Sequence, residues 1–205
     1  MDIKSRFFSF YPLLIILLIL LSVIKLIKSP GLYSLALLFF VIYLFPLISY
    51  RIHNYFFPLK LGRSDLAKKQ YSPWWGGHQI QLIYYIFPFF ESVLKCIPGA
   101  YSFWLRRWGS SIGKNVYWTP NIEIDDRGLI EIGDNVILGH KVEMISHVIT
   151  PRNDKMILYV KKITIQNECF IGAGSRIGPG VLIEKGSFVP VLTDLYVNQK
   201  VKNEN

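Results

Sequence analysis

Cysteine and acidic residues are both scarce in this chain of 205 residues. The two cysteines, Cys96 and Cys169, are too few and too isolated for a disulfide framework, which agrees with a reducing compartment. Fourteen acidic residues stand against 23 basic ones, so the net charge is +9. The basic residues cluster beside apolar runs, without a recognition-helix or single-strand-binding pattern. The charge therefore favours membrane headgroups as the partner, with no nucleic acid.

Charged residues are absent from two long runs near the N-terminus, Phe7–Ile24 and Gly31–Tyr50. Each run is about the ~20 residues that a helix needs to cross a bilayer, and a Ser-Pro-Gly turn separates them. Residues 1–60 are therefore predicted to form a transmembrane helical hairpin. A hairpin that enters one leaflet, or a buried helical pair, is the alternative. Basic residues outside the runs outnumber Lys25 and Lys28 between them, which predicts that both termini are cytoplasmic.

Aromatic residues dominate the next segment, 61–111, which Pro88 and Pro98 interrupt. Short helices are predicted at Gln79–Phe87, Glu91–Ile97 and Tyr101–Trp108. Trp and Tyr prefer the headgroup level of a membrane, so the segment could be an interfacial collar. It could equally be a helical cap that closes the domain that follows.

An apolar residue recurs every six positions through residues 112–194. The series is Ile112, Trp118, Ile124, then, after a slip of two residues, Ile132, Leu138, Met144, and later Ile165, Ile171, Ile177, Ile183 and Val189. A period of six fits neither an amphipathic helix nor an exposed strand. It predicts a mainly β fold, a parallel β-helix of about three to four coils, with each hexapeptide forming one side of a triangular coil. Residues 195–205 are predicted to be a loose C-terminal tail.

The repeat is interrupted twice. The slip occurs at Asp125-Asp126-Arg127-Gly128, where a small outward bulge is expected. The longer interruption, residues 146–162, is predicted to be an excursion from the coil. Such insertions usually collect on the binding face of a solenoid.

The hexapeptides around both interruptions resemble those of the bacterial hexapeptide-repeat acyltransferases. The segments that carry the resemblance are I-G-D-N-V (132–136), the His-bearing excursion, I-G-A-G-S (171–175) and I-G-P-G-V (177–181). That family includes galactoside, serine, maltose and polysaccharide O-acetyltransferases. The resemblance covers about residues 112–194 and implies a left-handed β-helix, a homotrimer, active sites in the clefts between subunits and an acyl-coenzyme A donor, here acetyl-CoA, without a metal.

The resemblance also implies roles for individual residues. His147 matches the general base, although it follows I-G-D-N two residues earlier than in the galactoside enzymes. An imidazole with a pKa of ~6.5 suits removal of a hydroxyl proton near neutral pH. Gly172 and Ala173 match the stretch that meets the pantetheine arm, or they simply fit a coil turn. Candidates for the coenzyme A phosphates, each also explicable as a solvated charge, are Lys161, Lys162, Arg176 and Lys185.

The acceptor and the orientation of the base have weaker candidates. Arg152 and Asn153 would meet the acceptor, or solvate a loop tip. Asp125 or Asp126 would orient His147 of a neighbouring subunit, or form a turn. His140 is expected on a coil surface or at a subunit contact, and His78 in a structural role.

Together these features predict a membrane-attached O-acyltransferase, in particular an O-acetyltransferase, that acts on a saccharide or lipid-linked glycan precursor. The implied location is the bacterial inner membrane, with the catalytic domain on the cytoplasmic side. One alternative is a non-catalytic membrane-anchored trimeric scaffold for glycan biosynthesis. A zinc hydratase on the same repeat is less favoured, because its site takes three imidazoles and the coils contain only His140 and His147.

Overall fold

Two long apolar helices begin the chain, at the positions of the two charge-free runs. In the computed structural model, which describes residues 2–203, they extend over Ile3–Lys28 and Leu32–Phe56. Both are long and apolar enough to cross a membrane. This criterion rests on length and composition alone, and the core helix of a soluble protein or a signal sequence also meets it.

The first of two compact units comprises Met1–Lys60 and Lys68–Phe87 and is built from helices. These are α1 (Ile3–Ser9), α2 (Tyr11–Lys28), α3 (Leu32–Phe39), α4 (Phe45–Phe56) and α5 (Pro73–Ile86), with a π-helical turn at Phe40–Leu44 between α3 and α4. The turn lies just before Pro46, which has no N–H for the carbonyl of Ile42 four residues earlier. The hydroxyl of Tyr84 in α5 donates a 2.7 Å hydrogen bond to that carbonyl.

The second unit comprises Leu61–Ala67 and Pro88–Asn205, so the predicted segment 61–111 is divided between the two units. It contains strand β1 (Gly62–Asp65) and helices α6 (Phe89–Lys95) and α7 (Ala100–Trp108). The division falls where Pro88 follows the end of α5, since the residue before a proline is disfavoured in a helix. The three predicted short helices are confirmed, although α5 begins at Pro73 and not at Gln79.

Short strands follow α7 in the rhythm of the hexapeptides. The first six are β2 (Ser111–Ile112), β3 (Tyr117–Trp118), β4 (Glu123–Ile124), β5 (Ile130–Ile132), β6 (Ile137–Leu138) and β7 (Glu143–Met144). Two longer strands, β8 (His147–Arg152) and β9 (Lys155–Val160), interrupt the series. It resumes with β10 (Ile163–Ile165), β11 (Phe170–Ile171), β12 (Arg176–Ile177), β13 (Leu182–Ile183), β14 (Phe188–Val189), β15 (Asp194–Leu195) and β16 (Lys200–Val201).

The short strands stack into three parallel sheets, which are the three faces of a β-helix. Face I holds β2, β5, β10, β13 and β16; face II holds β3, β6, β11 and β14; face III holds β4, β7, β12 and β15. Within residues 2–203 this gives four coils and one further strand, consistent with the left-handed β-helix that the resemblance implies. Each strand pairs with strands one coil away, so neither partner is adjacent in sequence.

The inward rows of the β-helix are those that the repeat predicts. Every first residue of a hexad is buried except Trp118, which is half-buried and donates its indole N–H to the Ser102 hydroxyl at 2.8 Å. The fifth places are also buried at Val136, Val142, Cys169, Ser175, Val181 and Ser187. Because each coil covers the row of the next, stacking removes these side chains from water.

The stack continues beyond the predicted boundary at Asp194. Leu195 is buried in β15, and Val201 in β16 pairs opposite Ile183. Residues 195–201 therefore form part of the repeat, which differs from the loose tail expected there. The last hexad was not recognised because the sequence between Leu195 and Val201 is mostly polar. The final two residues of the predicted tail lie outside the described residues.

The excursion is an antiparallel hairpin. β8 pairs with β9 from His147 opposite Val160 to Arg152 opposite Lys155. β1 pairs with the other edge of β9, with Asp65 opposite Ile157, so the sheet has the order β1-β9-β8. The backbone of the insertion is thereby satisfied by its own ladder.

Candidate active site

Both interruptions of the repeat fall at one corner of the β-helix, where face III passes into face I. Residues 125–129 fill this corner in the first coil and residues 145–162 in the second, whereas 178–181 and 196–199 suffice in the later coils. β4 pairs with β7 with Ile124 opposite Met144, so the residues after both strands leave the stack side by side. The register therefore places Asp126 next to His147, 21 positions later. We call this place the III–I corner.

Asp126 and His147 form a hydrogen-bonded pair at the III–I corner. His147 Nδ1 lies 2.7 Å from Asp126 Oδ2. The side chain of Asp126 is 5% exposed and that of His147 is 15% exposed, so both are largely shielded from water. An Nδ1–H that donates to the carboxylate leaves the Nε2 lone pair as the acceptor of a proton. This arrangement of carboxylate and imidazole can support general-base chemistry.

Burial and neighbouring charges both shift the pKa values of His147 and Asp125, and these effects partly oppose each other. Burial disfavours the imidazolium, but the hydrogen bond that Nδ1–H donates to Asp126 and the charges of Asp126 and Asp125 outweigh it, so the pKa of His147 is raised above 6.5. Burial raises the pKa of the Asp125 carboxyl to about 6, and the charge of Asp126 adds to this, against the effects of His147 and Arg127. The carboxyl of Asp125 and the imidazole of His147 thus influence each other's protonation.

A buried ion pair holds the turn that carries Asp126. Arg127 is 2% exposed, and its Nε and Nη2 donate to the two carboxylate oxygens of Glu91 in α6 at 2.7 and 2.8 Å. The indole N–H of Trp104 in α7 donates to the same carboxylate at 3.0 Å. The Ser110 hydroxyl donates to the Arg127 carbonyl and accepts the N–H of Ile130. The backbone on the far side of Asp126 is thereby fixed to the helices.

The predicted acceptor residues lie away from this pair. Arg152 and Asn153 are exposed at the tip of the β8–β9 hairpin, and Asn153 has the positive φ of a turn. Five residues along β8 separate Arg152 from His147, about 17 Å at ~3.4 Å per residue. Within one chain they do not meet the base, and their role in acceptor binding stays a prediction.

The glycine of the predicted pantetheine stretch has a structural reason. A Cβ at Gly172 would collide with the backbone of Pro190 and Val191 in the next coil. Gly139 stands in the same relation to Ala173 one coil earlier. The stacking of coils therefore accounts for glycine at these positions, and contact with a pantetheine arm stays a prediction.

The four basic candidates for the coenzyme A phosphates are not gathered at one place. Arg176 lies on face III and pairs with Asp194 through two hydrogen bonds of 2.6 and 2.7 Å. Lys185 follows β13 between faces I and II, 3.4 Å from Glu168. Lys161 and Lys162 belong to the III–I corner. Their ammonium groups lie 2.8 Å from Asn198 Oδ1 and 2.6 Å from Glu131 Oε1.

Two further histidines, His140 and His78, have the surface and structural roles that the sequence suggested as expectations. His140 is exposed in the turn after β6. His78 belongs to α5 in the first unit, where its ring stacks on Trp74 with centroids 4.9 Å apart.

The sequence named Asp125 with Arg152 and Asn153 as a substrate-binding candidate, a role that stays a prediction. It also suggested that Asp125 or Asp126 orients His147 across a subunit boundary. The structure places Asp126 against His147 of the same chain. The sequence held a signal for this pairing. Three hexads make one coil, and counting them places the bulge and the excursion at the same corner. The ion pair between Glu91 and Arg127 could not be predicted, because the hexapeptide pattern does not indicate which helix residue contacts the bulge.

Some solved structures are similar to part of this chain. No protein-family model and no curated protein matches the sequence. Over its C-terminal half the chain is similar in structure to hexapeptide-repeat acetyltransferases. One is a hexapeptide-repeat acetyltransferase from Vibrio cholerae, with 15% identity, 54% of this chain and 81% of that chain covered, and a TM-score of 0.39.

Two further solved structures are complexes with acetyl coenzyme A or coenzyme A. The Vibrio cholerae protein complexed with acetyl coenzyme A shares 17% identity, with coverages of 54% and 78% and a TM-score of 0.38. A galactoside acetyltransferase in complex with coenzyme A shares 17% identity, with coverages of 54% and 72% and a TM-score of 0.35. At this identity and score the likeness concerns the fold and assigns no residue a role.

Proposed function

We propose that this chain is a membrane-attached O-acyltransferase, and specifically an O-acetyltransferase, with His147 as its general base. The donor is acetyl-CoA, and the acceptor is a hydroxyl of a saccharide or lipid-linked glycan precursor. The observation that carries the proposal is the 2.7 Å hydrogen bond between Asp126 and His147 at the base of the excursion. A scaffold would gain nothing from an imidazole oriented by a buried carboxylate.

The chemistry follows from the ring geometry. Nε2 of His147 removes the acceptor hydroxyl proton as that oxygen attacks the thioester carbonyl. The resulting tetrahedral intermediate breaks its carbon–sulfur bond, and the imidazolium returns the proton to the departing thiolate. Ester and free coenzyme A thiol are the products, and His147 ends neutral. Asp126 fixes the tautomer and stabilises the transient positive charge on the ring.

The donor would lie along the coil edge. Lys161 with Lys162 supplies positive charge at the III–I corner. Gly172 and Ala173 offer close approach to the backbone at the corner between faces II and III, so within one chain a pantetheine arm would have to cross face III to meet them. Arg176 and Lys185 would reach a phosphate only at other places on the β-helix, away from the III–I corner. Among the four basic residues we therefore favour the corner pair.

Membrane attachment is supported by the surface of the two long helices. In the most apolar 18-residue stretch of each helix, only 22% is buried, whereas a core helix of a soluble protein would be mostly buried. The flanking basic residues favour cytoplasmic termini, and hence a catalytic domain on the cytoplasmic side of a bacterial inner membrane. An acceptor attached to a membrane lipid suits such a location.

A homotrimer is supported by the side chains of face II. Its outward row is Tyr117, Ile137, Phe170 and Phe188, in register from coil to coil, with the last two rings stacked 5.0 Å apart. The corresponding row of face III is Glu123, Glu143, Arg176 and Asp194. A closed trimer joins two different surfaces of neighbouring copies, and face II lies opposite the III–I corner in the prism. We assign face II of one copy to the corner of the next.

An assay on the purified full-length chain in detergent tests the proposal. Acetyl-CoA with a panel of sugars and lipid-linked glycans should release thiol with at least one acceptor. Coenzyme A should also raise the Tm, since a ligand at 100 times its Kd adds about 2.7 kcal/mol to the free energy of unfolding. A folded protein that releases no thiol and gains no thermal stability with any acyl-CoA would refute the proposal and favour the scaffold.

A further inference from the structure

The helices α6 and α7 bury one side against the β-helix and expose large apolar side chains on the other. Phe89, Val93 and Ile97 follow at intervals of four residues and are 71%, 39% and 58% exposed. Phe103 in α7 is 56% exposed, while the adjacent Trp104 is buried. A protein in water rarely leaves so many large apolar side chains exposed on one short segment.

Positive charge surrounds this surface. Residues 88–108 contain Lys95, Arg106 and Arg107, and their single acidic residue, Glu91, is buried in the ion pair with Arg127. The guanidinium of Arg107 lies over the Phe103 ring, 4.9 Å from its centroid. An apolar face with a basic border is the composition of helices that lie in the headgroup layer of a bilayer.

A cleft of about 570 Å³ opens between the α6–α7 connection and the first coil. Arg106 and Lys114 contribute cations to its lining, and Tyr117 and Trp118 contribute rings. Lys95 also lines it, but its ammonium donates to the Ile122 carbonyl at 3.1 Å. Arg106 uses two of its N–H groups on the carbonyls of Ile112 and Gly113, which holds the guanidinium at the edge of the cleft and leaves further donors. Asp134 lies nearby and accepts the backbone N–H of Lys114.

We propose that the exposed side of α6–α7 lies in the surface of an anionic lipid bilayer. Phe89, Val93, Ile97 and Phe103 enter the boundary between headgroups and acyl chains, and the cleft takes a lipid phosphate. The reason is charge complementarity, because cations close to an anionic lipid surface are attracted to it. The proposal does not depend on acyl transfer, and the two long helices would anchor the chain even if this surface stayed in water.

The chain contains a reporter for this surface. Cys96 is exposed at the end of α6, and Cys169 is buried in a place that Ser175 and Ser187 fill in other hexads. A Cys169→Ser variant therefore keeps the coil and leaves Cys96 for an environment-sensitive fluorophore. The matched control carries Cys96→Ser, Cys169→Ser and Lys200→Cys, with the label on β16. Four strand spacings separate β16 from β2 on face I, about 19 Å at ~4.8 Å each.

Both labelled proteins, at full length, are reconstituted into vesicles of phosphatidylcholine with phosphatidylglycerol. Nitroxide groups on the acyl chains should quench the label at Cys96 about threefold more than the label at position 200, and aqueous iodide should show the reverse order. The lipid quenching should weaken in pure phosphatidylcholine and at high salt. Phe89→Asp with Phe103→Asp should abolish it, whereas Tyr196→Asp, at a residue 73% exposed in the last coil, should not.

Two outcomes would overturn the proposal. Equal access of iodide to both labels would mean that the surface faces water. Protection of Cys96 from iodide and from lipid nitroxides together would mean that protein covers it, either a second copy or a partner. Both readings come from the wild-type surface, so they hold even if the aspartate variants fail to fold.

Discussion

The later coils of the β-helix and its III–I corner use the same repeat in opposite ways. From β10 to β16 the hexads run without a break, and their inward residues Ile165, Ile171, Ile177, Ile183 and Val189 are buried. At the corner of the first two coils the repeat is interrupted, and the inserted residues bring together Asp125, Asp126 and His147. The regular hexads stabilise the stack, while the interruptions supply polar groups that a continuous coil has no place for. Mutations in the two regions should therefore affect different measurements.

The largest effect is expected from His147→Ala, which removes the proposed base. The rate of acyl transfer should fall by about 10²–10⁴, while the Tm and oligomeric state stay unchanged. Thiol release under saturating donor measures the rate. His140→Ala is the matched control, since His140 is exposed on a coil turn, and it should keep the wild-type rate. Near-full turnover by His147→Ala would remove the residue from the mechanism.

Arg127→Leu should lower the free energy of unfolding by about 3–5 kcal/mol, because it leaves the buried Glu91 carboxylate without its cation. Denaturant titration in detergent measures this. The double variant with Glu91→Gln should regain part of the loss, since the amide oxygen still accepts the Trp104 indole N–H. Arg63→Leu, at an exposed position of β1, is the control and should change little. An Arg127→Leu protein as stable as wild type would argue against a structural ion pair here.

Ile177→Ala in the regular stack should cost about 2–5 kcal/mol of unfolding free energy by opening a cavity in a closed core. The turnover per folded molecule should stay at the wild-type value, in contrast to His147→Ala. Val191→Ala, at an exposed position of the same stack, controls for the loss of apolar volume alone. A fall in turnover without loss of stability would contradict the idea that the regular coils affect stability and the III–I corner affects catalysis.

Asp126→Asn should reduce kcat, by at most the ~10²–10⁴-fold expected for His147→Ala, because the amide no longer fixes the tautomer of the imidazole. It should also move the pH profile. The base acts when unprotonated, so the wild-type kcat/KM declines as the pH falls through the raised pKa of His147. Without the Asp126 charge that pKa falls, and the acidic limb should shift to lower pH. Asp125→Asn, which acts through charge alone, should shift it less; an unmoved limb in Asp126→Asn would contradict the pairing.

The smallest effect on stability is expected from Lys162→Ala. Its ion pair with Glu131 is exposed, so the free energy of unfolding should change by about 0–1 kcal/mol. If the III–I corner binds the donor phosphates, the KM for acetyl-CoA should still rise several-fold. Lys155→Ala at the hairpin tip should leave KM unchanged, and an unchanged KM in Lys162→Ala would move the phosphate site to Arg176 or Lys185.

The fold could be predicted because a period of six leaves few arrangements for inward residues such as Leu138 and Ile171. The end of the repeat was missed because Tyr196 to Lys200 is polar, and a hexad is recognisable only by its apolar first place. The excursion was expected only as an insertion, but the consecutive β-branched residues Val148, Ile149 and Thr150 and the partner strand at Gly62–Asp65 make it a sheet. A pairing between residues about 95 positions apart leaves no local pattern.

The sequence alone determined the coil, the place of each inward side chain, the two long apolar helices and the candidacy of His147, because all of these depend on spacing along the chain. Tertiary structure alone decided that Asp126 is the partner of His147, that Arg127 and Glu91 hold its turn, and that four basic candidates are spread over different edges. The reason is geometric. In a solenoid, residues about one coil apart in sequence become neighbours in space. Each insertion changes the number of residues per coil, so the contacts at the corner depend on the register of the strands and not on sequence distance.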